Sequence, residues 1–210
     1  MTTAVLSIFV LASALLTIRA EYRGPRSWVY VCKPLTVVLV ILLAFRAENA
    51  APAAYRILII AGLLFSLAGD VFLMLPRDRF VAGLASFLVA HLCYIAAFAS
   101  DGEITLSARV GMALAAYGAV MLGRLWASLG SLKGPVACYV LVILLMTWLA
   151  VSRYALAGPA GSGPAAAGAL LFAASDSLLA WDRFKGRLRA AQALVLSTYF
   201  AAQWLIALST

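Results

Sequence analysis

Long apolar runs separated by short polar stretches fill the chain from end to end. They are far longer than strands, and none keeps the dyad alternation of an outer-membrane barrel. Eight runs come close to the ~20 residues that a helix needs to cross a bilayer core. They cover residues 3–19, 28–45, 54–75, 80–99, 106–127, 134–152, 160–181 and 188–209. The links between them are short. The pattern therefore predicts an all-α membrane protein, a bundle of eight transmembrane helices in a single domain, residues 1–210, without a soluble appendage. The stretch AGPAGSGPAAAG at 157–168 reads as a loop plus the start of the seventh helix, where Gly and Ala allow close packing.

Composition excludes a soluble alternative. The chain is 65% hydrophobic and 11% charged, whereas a soluble domain carries about 25% charged residues. A soluble fold of this length could not cover so much apolar surface. The first run lacks a basic n-region: Arg19, Arg23 and Arg26 follow it instead of preceding it. That order is the reverse of a signal peptide and suits a first helix whose N-terminus lies outside.

The net charge of +8 would fit a nucleic-acid binder were it not for its distribution. The odd-numbered links hold Arg19, Arg23, Arg26, Lys33, Arg77, Arg79, Arg124, Lys133, Arg183, Lys185, Arg187 and Arg189. The even-numbered links hold Arg46, Arg56, Arg109 and Arg153. This asymmetry places the odd links in the cytoplasm and both termini outside. It predicts a multi-pass protein of the plasma (inner) membrane, with anionic headgroups rather than nucleic acid as the basic residues' partners. Oligomeric state is not legible. Cys32, Cys93 and Cys138 lack CxxC spacing and fall in or near the apolar runs, so they read as small buried hydrophobes. With a single histidine, His91, no metal site is expected.

Polar residues inside the runs carry the chemistry. In LLFSLAGDVFLMLPRDRF, residues 63–80, Asp70 lies shortly before the run ends. In LLFAASDSLLAWDRF, residues 170–184, Asp176 occupies a similar place. Helices three and seven run in the same direction, so the two carboxylates share a depth about 9 Å below the membrane boundary. Lys33 enters from that same side on helix two. An ionised Asp at such a depth costs roughly 2.5–3.5 kcal/mol or more, which marks a functional site by default. Helix four presents Phe80, Gly83, Phe87, His91, Tyr94 and Phe98 on one face. Helix eight carries Gln192, Tyr199 and Gln203 on one stripe, and helix six presents Tyr139 after Pro135.

Each of these has a plainer reading. Lys33 either snorkels to the headgroups or binds a phosphate. His91 and Tyr94 fit interhelical hydrogen bonding, and Tyr139, Tyr199, Gln192 and Gln203 fit packing. Asp78 and Asp182, among arginines, read as solvated loop charges. A structural Lys33–Asp70 pair would explain one intramembrane carboxylate and leave Asp176 unexplained. Both Asp segments end in Asp-Arg-Phe, which is compatible with a four-plus-four repeat or with chance recurrence.

Two neighbouring carboxylates resist joint ionisation, so one would hold a proton while its partner does not. Such a pair supplies an acid and a base in one pocket. Asp70 and Asp176 are the candidate catalytic residues, with either order of roles open. Lys33, His91, Tyr94, Tyr139, Tyr199 and Gln203 are the candidate substrate-binding residues. No GxSxG elbow appears, which disfavours a serine hydrolase.

SLAGDVFLM, the FxxGLxxFxxAHxxY run from Phe80 to Tyr94, ASDSLLA, YFAAQWLI, KPLT after Lys33 and YVLVILLMTWLA from Tyr139 together resemble the YhhN family of membrane proteins. These motifs span helices two to eight in the family's order. The resemblance implies an eight-helix lysoplasmalogenase-like hydrolase without a cofactor. Such an enzyme cleaves the vinyl ether bond of a lysophospholipid, with water, to a fatty aldehyde and a glycerophospho-head. It also implies that the substrate lies within the bilayer. Two other classes would bury similar residues. An intramembrane aspartyl protease would show GxGD, whereas Asp70 follows Leu-Ala-Gly and Asp176 follows Ala-Ala-Ser. A proton-coupled transporter would show broken helices, whereas Pro and Gly here lie mainly near the ends of the runs.

Overall fold

A computed structural model describes residues 2–46, 51–100, 104, 106–156, 158–186 and 190–210. Eight α-helices account for most of them: α1 (Thr3–Arg23), α2 (Arg26–Arg46), α3 (Ala53–Met74), α4 (Phe80–Ser100), α5 (Ala108–Leu125), α6 (Lys133–Ala155), α7 (Ser162–Phe184) and α8 (Ala191–Leu208). Each is long and apolar enough to cross a membrane, α5 together with the short 3-10 turn Trp126–Ser128 that continues it. Among the described residues there is no strand.

The helix ends depart from the expected spans where charge allows the helix to run on. α1 continues through Arg19 to Arg23, and α7 continues through Asp182 to Phe184. Both therefore carry an arginine in the last turn, where the helix dipole favours a cation. Asp182 is consequently a helical residue instead of a loop charge. Arg187 and Arg189, and the expected start of the eighth run at 188, lie outside the described residues.

Neighbouring helices close a ring in the order α1, α2, α3, α4, α6, α7, α8 and back to α1. α8 also reaches α2 and α3, while α5 lies outside the ring, mainly against α6. Few α5 residues are therefore buried, Gly118 and Leu125 being the two. The interior is a continuous apolar core that includes Leu43, Ile59, Leu63, Tyr94, Phe98, Met146, Phe172 and Ile206. Exposed Leu, Ile, Val and Phe side chains such as Ile8, Leu11, Ile57 and Leu141 form the outer surface, as expected of helices whose solvent is lipid.

Small residues set the closest approaches. A Cβ on Gly62 would collide with the Tyr94 ring, and one on Gly69 would meet the Phe87 ring at 2.7 Å. One on Gly168 would come within 2.8 Å of the Ala202 carbonyl oxygen. The small-residue start of α7 thus seats that helix against α8. Gly168→Val should force these helices apart and cost about 1–3 kcal/mol, seen as a lower thermal unfolding midpoint in detergent. An unchanged midpoint would mean that the contact is not tight.

Polar side chains fasten α1 to α2. The Ser13 and Thr36 hydroxyls lie 2.8 Å apart, Thr36 donates to the Cys32 carbonyl at 2.8 Å, and Thr17 donates to the Ser13 carbonyl at 2.9 Å. In the sequence Lys33-Pro34-Leu35-Thr36, Pro34 also removes one helical hydrogen bond beside Lys33. The sequence reading of all three cysteines as buried hydrophobes holds for only one of them. Cys32 is buried and Cys93 is partly buried, but Cys138 is exposed. Its neighbour Tyr139 takes the interior direction, which turns Cys138, one residue earlier on the same helix, outward.

Candidate active site

A cavity of about 510 Å³ opens at the end of the bundle that carries Arg26, Arg77, Arg79 and Arg183. Its volume falls within the ordinary range for small-molecule sites. Lys33 from α2, Asp70 from α3, Asp176 from α7 and Tyr199 from α8 all line it. α3 and α7 are not neighbours in the ring, so the cavity is what brings the two aspartates to a common space.

The two carboxyl groups have different partners. Lys33 Nζ lies 3.0 Å from Asp70 Oδ1, with side chains only 11% and 2% exposed. Tyr199 donates its hydroxyl to Asp70 Oδ2 at 2.7 Å. Asp70 is thus held by one cation and one phenol, the pairing a buried carboxylate needs. Asp176 is partly accessible, and Tyr139 donates a hydrogen bond to its Oδ2. Among the described residues no lysine or arginine lies within ion-pair distance of Asp176.

Aromatic rings form the floor. Phe87, Phe172 and Tyr199 meet edge to face, with centroids 5.5–6.2 Å apart. His91 lies beneath this floor, fully buried, its ring 4.6 Å from Phe172 and 5.2 Å from Tyr139. Among the described residues neither of its nitrogens has a hydrogen-bond partner. Tyr94 donates to Gln203 Oε1 at 2.7 Å, joining α4 to α8 in the same inner layer. His91, Tyr94 and Gln203 line neither this cavity nor the one beside it.

That second cavity is narrow, about 60 Å³, and mostly apolar. Leu84, Tyr117, Met121, Val140 and Leu144 line it beneath α5, and Asp176 belongs to its wall as well. Tyr117 and Ser177 share a hydrogen bond that ties α5 to α7 one residue from Asp176. The two cavities therefore share a wall formed by Leu73, Phe80, Phe87, Leu179 and Asp176.

Of the residues singled out by sequence, Lys33, Asp70, Asp176 and Tyr199 come together on the cavity wall, and Tyr139 reaches it through Asp176 and the second cavity. Lys33 is directed to Asp70 instead of to the headgroup level. Phe172 was not anticipated as the ring that packs behind Phe87 and Tyr199 of the cavity wall. Its signal was present: it precedes Asp176 by four positions, which places it on the same helical face one turn deeper. At the mouth, Asp78 pairs with Arg183. The Arg183 hydrogen bond, then that of the Phe80 N–H, holds Asp78 below the usual carboxylate range. Among the described residues no three His, Cys, Asp or Glu side chains group so as to hold a metal ion.

Apolar helices around a cavity with two intramembrane carboxyl groups define a multi-pass integral membrane protein with an ionisable site in its interior. The chain belongs to the YhhN family, whose pattern it matches over residues 28–210. It is 34% identical over 199 residues to "Uncharacterized membrane protein YhhN" of Escherichia coli O6:H1, with 95% of each chain covered. It is 38% identical over 163 residues to "Lysoplasmalogenase TMEM86A" of Bos taurus, covering 75% of this chain and 66% of that one. With "Lysoplasmalogenase TMEM86A" of Homo sapiens it shares 36% identity over 198 residues, 87% of this chain and 78% of the relative. No solved structure matches it.

Proposed function

We propose that this protein is a lysoplasmalogenase-like hydrolase that cleaves the vinyl ether bond of a lysophospholipid, with Asp176 as the acid and Asp70 as the base. The observation that carries this reading is the unequal partnering of two carboxyl groups on one cavity. The Lys33 ammonium compensates Asp70 as an anion. Among the described residues Asp176 has a phenol and no cation, so it is the one of the pair suited to hold a proton.

Vinyl ether hydrolysis needs those two states. The Asp176 proton passes to the alkene carbon remote from oxygen, and the ether-bearing carbon becomes an oxocarbenium ion. Asp70 stabilises that cation and takes a proton from the water that attacks it. The hemiacetal then collapses: Asp70 returns its proton to the departing glycerol oxygen, and Asp176 takes the hemiacetal hydroxyl proton. Aldehyde and alcohol leave with both side chains restored, and the sequence requires no redox step. Tyr139 and Tyr199 occupy one oxygen of each carboxyl group, leaving Asp176 Oδ1 for the proton. His91, Tyr94 and Gln203 act as positioning residues beneath them.

The two cavities give the substrate an orientation. The polar cavity takes the glycerophospho-head, the apolar slot under α5 takes the alkenyl chain, and the bond between them falls beside Asp176. The lysoplasmalogenase names of the relatives agree with this chemistry. The test is to incubate purified protein with a lysoplasmalogen and, in parallel, with the ester lysophospholipid of equal chain length. Aldehyde should accumulate from the first and no fatty acid from the second. Fatty acid release, or no product from either, would defeat the proposal.

A further inference from the structure

At the mouth of the polar cavity stand Arg26, at the start of α2, with Arg77 and Arg79, in the turn between α3 and α4. Among the described residues none of the three has an ion-pair partner. The carboxylates nearby do not cancel them. Asp78 is taken by Arg183, Asp182 has a partner of its own, and Glu21 remains on the α1 side. Positive-inside asymmetry explains why arginines gather at one end of a bundle. It does not explain why three of them converge on one opening.

We infer that Arg26, Arg77 and Arg79 form the seat for the phosphodiester of the lipid headgroup. This rests on the proposed substrate and deepens it. Lys33 would be the obvious phosphate ligand by sequence, but Asp70 engages its ammonium 3.0 Å away, deep in the cavity. Covalent geometry also puts the phosphate higher. About five bonds separate the ether oxygen of such a lipid from phosphorus, roughly 6 Å when extended. From Asp70 to Met74, the last residue of α3, the helix rises about 6 Å. A reacting bond level with the aspartates therefore sets the phosphate level with the end of α3, where the turn bearing Arg77 and Arg79 begins. Guanidinium groups there offer the paired N–H geometry that phosphate oxygens accept.

The test uses ligands that no vinyl ether hydrolase can cleave, so that it reads out even if the protein has another activity. Binding of a saturated 1-alkyl glycerophosphoethanolamine and of the matching 1-alkylglycerol, which lacks phosphate, is measured in neutral detergent. Wild-type protein should prefer the phosphate-bearing ligand by tenfold or more, and Arg77→Gln/Arg79→Gln should lose most of that preference, with Arg26→Gln lowering it further. The variants replace exposed side chains, and unchanged unfolding midpoints would certify their fold. An equal preference in wild type and variants would overturn the inference. So would displacement of the lipid by inorganic phosphate at the lipid's own concentration, which would assign the seat to free phosphate.

Discussion

Asp176→Asn should lower the turnover of a lysoplasmalogen by about 10²–10⁴-fold while leaving the protein folded. The substitution keeps the shape of the side chain and its hydrogen bond from Tyr139, but an amide delivers no proton to carbon. Asp176 has no cation to strand among the described residues, so its loss carries no electrostatic penalty and the unfolding midpoint should hold or rise. Asp70→Asn should cost a comparable factor in turnover. The double variant should lose little more than either single one, because residues that act as a unit are not additive. Full activity in Asp176→Asn would remove the proposed acid.

Lys33→Met should be the most damaging change to the fold near the site. It leaves the Asp70 carboxylate 2% exposed and without its cation, and breaking a buried pair by removing one partner costs about 3–5 kcal/mol. Adding Asp70→Asn to Lys33→Met removes the stranded charge, so stability in detergent should recover in the double variant. Turnover should not recover, because the base is gone. If Lys33 instead reached the headgroups, Lys33→Met would leave the midpoint unchanged and the second substitution would rescue nothing.

Much of this architecture is legible in the chain because a bilayer demands long helices and the helical rise is constant. The spans, the inward face of α4 through Phe87, His91, Tyr94 and Phe98, and the common placement of Asp70 and Asp176 follow from counting residues. Partners across helices do not. Counting gives how deep Lys33 lies, but not that α2 and α3 turn it toward Asp70. Nor does it reveal that α5 stands outside the ring and roofs an apolar slot. α5 has a more polar and a more apolar side, but its sequence does not say that it packs on α6 from outside the ring. The rim arginines were legible as charge and read as topology. Their convergence depends on the ring closing, which no single segment encodes.

Asp176, partly accessible on the cavity wall, is the proposed proton donor to the vinyl ether. A single-turnover experiment tests this role most directly, with protein in excess over a lysoplasmalogen and aldehyde followed with time, because it separates chemistry from binding and release. Wild-type protein should convert the bound lipid to aldehyde in one phase, while Asp176→Asn should bind the lipid and leave it intact. Aldehyde formation at equal rates in the two proteins, or none in wild type despite bound lipid, would contradict the account.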